Sequence, residues 1–182
     1  MIFLSQDDIL ITEKLGKVQR IAGNNILQSP ALDLASIVNS TGERRLLGIA
    51  ICQVKQTGEN EKYDNDLKIY LIFTRSVNDT DVNNTNCTLE KCETNNSVAN
   101  RLYQYKFRDG QLVNPKLVLD VPLYNNESIQ HIGGAVTVDP KDNKIFFTTG
   151  DGRGCEYDED CNSKMASIRE SVEPVGSGGI FF

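Results

Sequence analysis

No apolar stretch of this 182-residue chain keeps helical spacing for three turns. Its apolar segments are short, rich in Ile, Val, Leu, Phe and Tyr, and bounded by Asp, Asn, Gly or Pro. That is the pattern of strands punctuated by turns, because β-branched and aromatic side chains suit a pleated surface while Gly, Asn and Asp accept turn geometry. The chain is therefore read as all-β, with strands expected over 1–4, 9–12, 17–21, 46–52, 68–74, 101–107, 116–121, 135–138, 144–149 and 179–182. A short helix or 3₁₀ turn is expected only in "LDLASIV", 32–38.

Two stretches repeat one another. "MIFLSQDDILITEKLGKV" and "VTVDPKDNKIFFTTGDGR" both run strand, acidic turn, strand, threonine, glycine-containing turn. The tetrads "SQDD" and "PKDN" suit tight hairpins, and a recurring antiparallel hairpin is the signature of a propeller blade. At about 45 residues per blade the chain holds about three to four units, fewer than most closed propellers need. It is read as a single partial β-propeller domain, 1–182, cut at both ends, with polar loops at 53–66 and 76–100, the second an insertion. Uncovered sheet faces and edges predict marginal stability in isolation.

Composition narrows the partners. With 25 acidic against 19 basic residues the formal charge is -6, and no basic cluster offers a footprint for nucleic acid or anionic lipid. No apolar run reaches the length of a membrane span, and the start "MIFLSQDDIL" has neither a basic leader nor a cleavage site. Cys87 and Cys92 bracket "TLEK", and Cys155 and Cys161 bracket "EYDED". Each short loop suits a disulfide, with free thiols or zinc as the alternatives. Cys52, within "LLGIAICQV", is read as a small buried hydrophobe. Asn39, Asn78, Asn83, Asn86, Asn95 and Asn126 each begin an N-glycosylation sequon. Their density in 78–97 favours an exposed extracellular loop, and the chain is expected to act outside the cell or at its surface.

Several motifs dissolve on inspection. Gly150, Gly152 and Gly154 follow a strand, but the next segment is "CEYDEDC", an acidic loop rather than a helix whose N-terminus could hold phosphate. "VGSGG" lacks the spacing of a serine nucleophile elbow. Asp151, Glu156, Asp158, Glu159 and Asp160 offer oxygen ligands but not in EF-hand order, and read as a solvated acidic loop. His131 is the only histidine. It precedes Gly133 and Gly134, which leave room for another group beside the backbone, and imidazole is the side chain best suited to accept a proton near neutrality.

Taken in order, "ILITEKLGKVQRI", "GERRLLGIAI", "KIYLIFT", "NRLYQYKF", "HIGGAVTVDPKDNKIFFTTGD" and "EPVGSGGIFF" resemble the soluble quinoprotein sugar dehydrogenases of the glucose/sorbosone dehydrogenase family. The resemblance covers nearly the whole chain, as the N-terminal blades of such a protein. It implies a six-bladed β-propeller holding pyrroloquinoline quinone and calcium, which oxidises an aldose to a lactone and passes electrons to an external acceptor. His131 matches the family's general base, and Glu43 matches a position lining the sugar site. The family block reads H-N-G-G-R or similar, whereas Ile132 and Ala135 stand here, removing hydrogen-bond donors from the neighbourhood. Residues that hold quinone and calcium are expected beyond Phe182, so the segment alone is expected to be inactive. The alternative is a non-catalytic secreted propeller that binds a protein or glycan.

Overall fold

The structure, a computed structural model, describes residues 1–52, 67–75, 99–122, 132–150 and 179–181. Among these residues there is no helix, and twelve strands form three antiparallel sheets. The first sheet comprises β1 (Ile2–Ser5), β2 (Asp8–Thr12), β3 (Lys17–Ala22) and β4 (Asn25–Ile26) in order, with β5 (Leu32–Asp33) also on β3. The second is a four-stranded meander of β6 (Leu46–Cys52), β7 (Leu67–Thr74), β8 (Ala99–Arg108) and β9 (Gln111–Pro122). The third runs β10 (Gly133–Val138), β11 (Ile145–Thr149) and β12 (Gly179–Phe181).

Both repeated stretches are hairpins. In the first, Ser5 pairs with Asp8 across the two-residue turn Gln6–Asp7. In the second, the Asp139 amide donates to the Lys144 carbonyl (2.8 Å), and the Asp139 and Asp142 carboxylates accept from the Lys141 and Lys144 amides. Asn143 takes a positive φ of 59° there, a conformation that Asn tolerates better than most residues.

Of the short helix or 3₁₀ turn expected over 32–38, no helix forms and a single turn is present. Leu32 and Asp33 pair with Val18 and Lys17, the Asp33 carboxylate caps the Ala35 amide, and the Leu34 carbonyl accepts from Ile37 and Val38. Strand pairing and an Asx turn leave room for one turn only. β9 starts at residue 111 rather than 116 because Asp109 and Gly110, with φ of 51° and 82°, close a two-residue hairpin of the mirror-image kind that matches strand twist. Asn114, at φ 54°, sits where the pairing register shifts, and Pro115 follows it on the edge strand, where no ladder donor is required of it. β8 starts at Ala99, so the last two residues of the expected 76–100 loop are strand.

The middle sheet is covered on both faces, which explains the unbroken apolar run "IYLIF" in β7. Ile69, Leu71 and Phe73 join Ile49, Tyr103, Tyr105 and Leu112 in a core shared with Ile2, Leu10 and Val18 of the first sheet. The Phe73 and Tyr103 rings stack there at 5.3 Å. From the opposite face, Tyr70, Ile72, Ala50, Cys52, Leu102 and Val121 pack with Phe147, Val136, Val138 and Ile145 of the third sheet. Alternate residues of one strand thus serve two cores, each large side chain contributing about 1.5–3 kcal/mol of burial.

Candidate functional site

Alternation of antiparallel strands brings the start of β6, the end of β7, the start of β8, the end of β9, the start of β10 and the end of β11 to one edge of the stack. All six buried polar side chains among the described residues lie at these ends: Arg44, Thr74, Arg75, Asn100, Arg101 and Thr149. A hydrophobic stack places polar groups out of water only where partners meet them, and here the partners cross between sheets.

Thr74 and Asn100 are cross-strand partners with no solvent exposure. The Thr74 hydroxyl donates to Asn100 Oδ1 (2.9 Å), and Asn100 Nδ2 donates to the Ile132 carbonyl (3.0 Å), which also accepts from the Gly150 amide (3.0 Å). Ile132 is itself 1 % exposed and packs on Leu47. The departure from a polar residue at position 132 is therefore met by an apolar contact. Gly133 and Gly134 have φ of 75° and 110°, and a methyl on either would collide, with Gly150 N in one case and Leu47 Cβ in the other. Gly48 approaches as closely, since its methyl would lie 2.5 Å from the Gly134 carbonyl oxygen. The expectation that these glycines admit another group against the backbone holds: at Gly134 the group is Leu47 in the first strand of the neighbouring sheet, and at Gly133 it is the end of β11 in its own sheet.

Beside this network Arg101, 1 % exposed, donates through Nε to Asp120 Oδ2 (3.1 Å) and through Nη1 to the Tyr103 hydroxyl (3.2 Å). Burial pulls its pKa down, but Asp120 and Tyr103 outweigh that and the net direction is upward, so the guanidinium stays charged. Burial lowers the pKa of Arg44, the residue after Glu43. The Thr149 hydroxyl is buried with no hydrogen-bond partner among the described residues.

Of the residues singled out from sequence, Glu43 is exposed and its carbonyl accepts from Arg45 Nε (2.8 Å). It stands just before β6, at the same edge as Ile132. Asn39 is half-buried, its amide donating to the Thr74 carbonyl and its side-chain oxygen accepting from the Thr41 amide. Cys52 is a buried free thiol donating to Asn143 Oδ1 (3.2 Å), as its apolar setting predicted. His131, Cys87, Cys92, Cys155, Cys161, Asn78, Asn83, Asn86, Asn95 and Asn126 lie outside the described residues. Sequence reasoning missed Thr74, Asn100 and Thr149. The available signal was a polar residue at the end of an otherwise apolar strand.

Among the described residues no group of three or more His, Cys, Asp or Glu is placed to hold a metal ion, and no helix is long and apolar enough to cross a membrane. The buried Arg101 is already matched by Asp120 and Tyr103, so it is not a ready anchor for quinone carboxylates.

Successive antiparallel sheets packed face to face, the first strands of the second and third meeting at glycines, define part of a β-propeller. The sequence model for glucose / sorbosone dehydrogenase matches residues 1–170. The chain belongs to the glucose/sorbosone dehydrogenase family. Solved structures agree on the fold. An oxidoreductase of Thermus thermophilus assigned as a glucose dehydrogenase aligns with a TM-score of 0.56 at 21 % identity, covering 82 % of this chain and 35 % of that one. Two further structures, each a glucose dehydrogenase, give TM-scores of 0.58 and 0.57 at 16 % identity, covering 85 % of this chain and 38 % and 37 % of theirs. The chain spans little more than a third of the length of these structures. No curated protein sequence matches it.

Proposed function

We propose that the protein to which this segment belongs oxidises an aldose to its lactone, with His131 as the general base. Membership of a sugar oxidoreductase family supports the substrate class and reaction type. The observation that carries the role of His131 is the anchoring of Ile132, one peptide bond away, by two hydrogen bonds and a buried side chain. In this reading a neutral imidazole takes the proton of the anomeric hydroxyl as that carbon's hydrogen leaves with its electron pair, and the carbon–oxygen double bond of the lactone forms. Pyrroloquinoline quinone would supply the hydride acceptor and calcium the Lewis acid, both held by residues other than the described ones. Glu43, on the same edge, is assigned to the sugar side of the site. The six sequons and two closely spaced cysteine pairs support action outside the cell.

The test uses the full-length protein supplied with quinone and calcium and a dye as electron acceptor. His131→Ala is expected to lower turnover by about 100- to 10,000-fold. Wild-type turnover in that variant overturns the assignment, and sugar binding without turnover in the unaltered protein would favour a glycan-binding propeller instead.

A further inference from the structure

We infer that Asn39 carries an N-linked glycan, attached through Nδ2 at the polar edge of the stack. The inference rests on the reading that the protein acts outside the cell, because secretory passage is what brings an asparagine to the glycan donor. A sequon alone is only a tripeptide. The fold adds a loop that presents it and a separate use for each polar atom of Asn39.

Asn39, Ser40 and Thr41 open a loop, 39–45, whose two ends are held by one residue. The Asn39 amide donates to the Thr74 carbonyl (2.9 Å), and the Thr74 amide donates to the Arg45 carbonyl (3.0 Å). Inside the loop the Arg44 amide donates to the Thr41 carbonyl (3.1 Å), Gly42 takes a φ of 63°, and Arg45 Nε donates to the Glu43 carbonyl (2.8 Å). Arg44 is buried, while Thr41, Gly42 and Glu43 are exposed. The loop is therefore closed at its base and open at its tip.

Asn39 itself gives the fold its backbone amide and its side-chain oxygen. Oδ1 accepts from the Thr41 amide (3.1 Å), an Asx turn that spans the sequon. A backbone N–H can only donate, so this bond fixes which end of the carboxamide points inward. Nδ2 makes no hydrogen bond among the described residues and is not one of the buried atoms left without a partner, so it opens to solvent. The half-buried residue thus turns outward the one polar atom that the fold does not use. In the transfer, Nδ2 bonds the anomeric carbon of an oligosaccharide carried on a lipid diphosphate. The carbon–oxygen bond to the diphosphate breaks, the lipid diphosphate leaves with its electron pair, and one Nδ2 proton passes to a base of the transferase. Both hydrogen bonds of Asn39 survive the change, because they use other atoms. The product is a bulky hydrophilic group on the same loop as Glu43.

The test is expression of the full-length protein from its natural start in eukaryotic cells, removal of N-glycans by peptide N-glycosidase in heavy-oxygen water, and peptide mass spectrometry of the secreted product. The Asn39 peptide is expected to return mostly as heavy-labelled aspartate. Thr41→Ala, which removes the sequon hydroxyl but keeps the amide that donates to Oδ1, should abolish that label. Asn39→Asp keeps the acceptor oxygen and drops only Nδ2, so it should fold by circular dichroism and migrate faster by one glycan. Unlabelled Asn39 in a secreted protein whose other sequons are labelled overturns the inference and leaves the extracellular reading intact. Misfolding of Asn39→Asp beside a folded Thr41→Ala would show that Nδ2 serves the fold, and would overturn it too. A protein retained in the cytosol, or secreted with no labelled sequon, would instead remove the extracellular reading, and this inference with it.

Discussion

Gly48 and Gly134 set the distance between the second and third sheets, and Gly133 sets the approach of β10 to the end of β11. A methyl on Gly48 meets a carbonyl oxygen, on Gly133 a backbone amide, and on Gly134 the Leu47 side chain. Backbone cannot yield as a flexible side chain can, so Gly48→Ala should destabilise the protein by about 2–3 kcal/mol. Gly23 is a control, because it has a φ of 60° but nothing within 4 Å. Gly23→Ala carries only the left-handed penalty, about 1 kcal/mol. Urea denaturation of the two variants checks the difference, and similar midpoints would mean that the sheets can move apart at little cost. Cys52 supplies a second expectation. Burial raises its thiol pKa, against a smaller opposing pull from Lys68, so less thiolate exists in the folded than in the unfolded chain at pH 8. Iodoacetamide should modify the Cys52 peptide more than about tenfold more slowly before than after denaturation, as read by mass spectrometry. At this scale the glycine pair after His131 was legible because glycine side by side with glycine announces close approach. Asn100 was not, because nothing in "NRLYQYKF" distinguishes a polar residue aimed at another sheet from one facing water.

At the scale of elements, turn chemistry decides where strands begin. "SQDD" and "PKDN" are readable as turns because their Asp and Asn side chains suit tight reversals, whereas the Asp109–Gly110 turn stands inside a polar run and hides the first five residues of β9. Proline at 115 suggests a break in that strand. Its position on an edge strand, beside a register shift, removes the conflict. The two short pairings on β3 were illegible for another reason: two-residue strands carry no periodicity, and β5 exists because Leu32 and Asp33 meet Val18 and Lys17 in space. The turn after β10 carries its own electrostatic signature. Lys144 donates to Asp142 and holds its carboxyl below the usual carboxylate value, while Asp142 raises Lys144. A depressed carboxyl favours the fold above its unfolded pKa, and that contribution fades as pH falls through the lower, folded value. Lys144→Gln should return the Asp142 titration, followed by NMR, toward the ordinary range. Global stability should hardly change, because the pair is open to solvent and screened.

At the scale of the molecule the three sheets are not equivalent. The middle one buries β7 from both sides, while among the described residues the outer two are each packed on one face only. The first sheet leaves Met1, Phe3, Leu15 and Ile26 more than half exposed. Opening an outer sheet therefore breaks one interface, whereas opening the middle sheet breaks two together with the Thr74–Asn100–Ile132 link. Local opening free energy follows from that asymmetry. In amide hydrogen exchange on residues 1–182 by themselves, β7 and β8 should exchange slowest. The strands of the first and third sheets should exchange earlier, by at least about tenfold. If further blades cover the outer faces in a longer chain, the same residues should lose much of that contrast there. Uniform protection across all three sheets in the isolated segment would contradict the argument, because it would require the outer sheets to be covered by something other than the described stack, such as a second copy of the chain. A sedimentation run on the same sample separates that outcome from a monomer with an unexpectedly rigid edge.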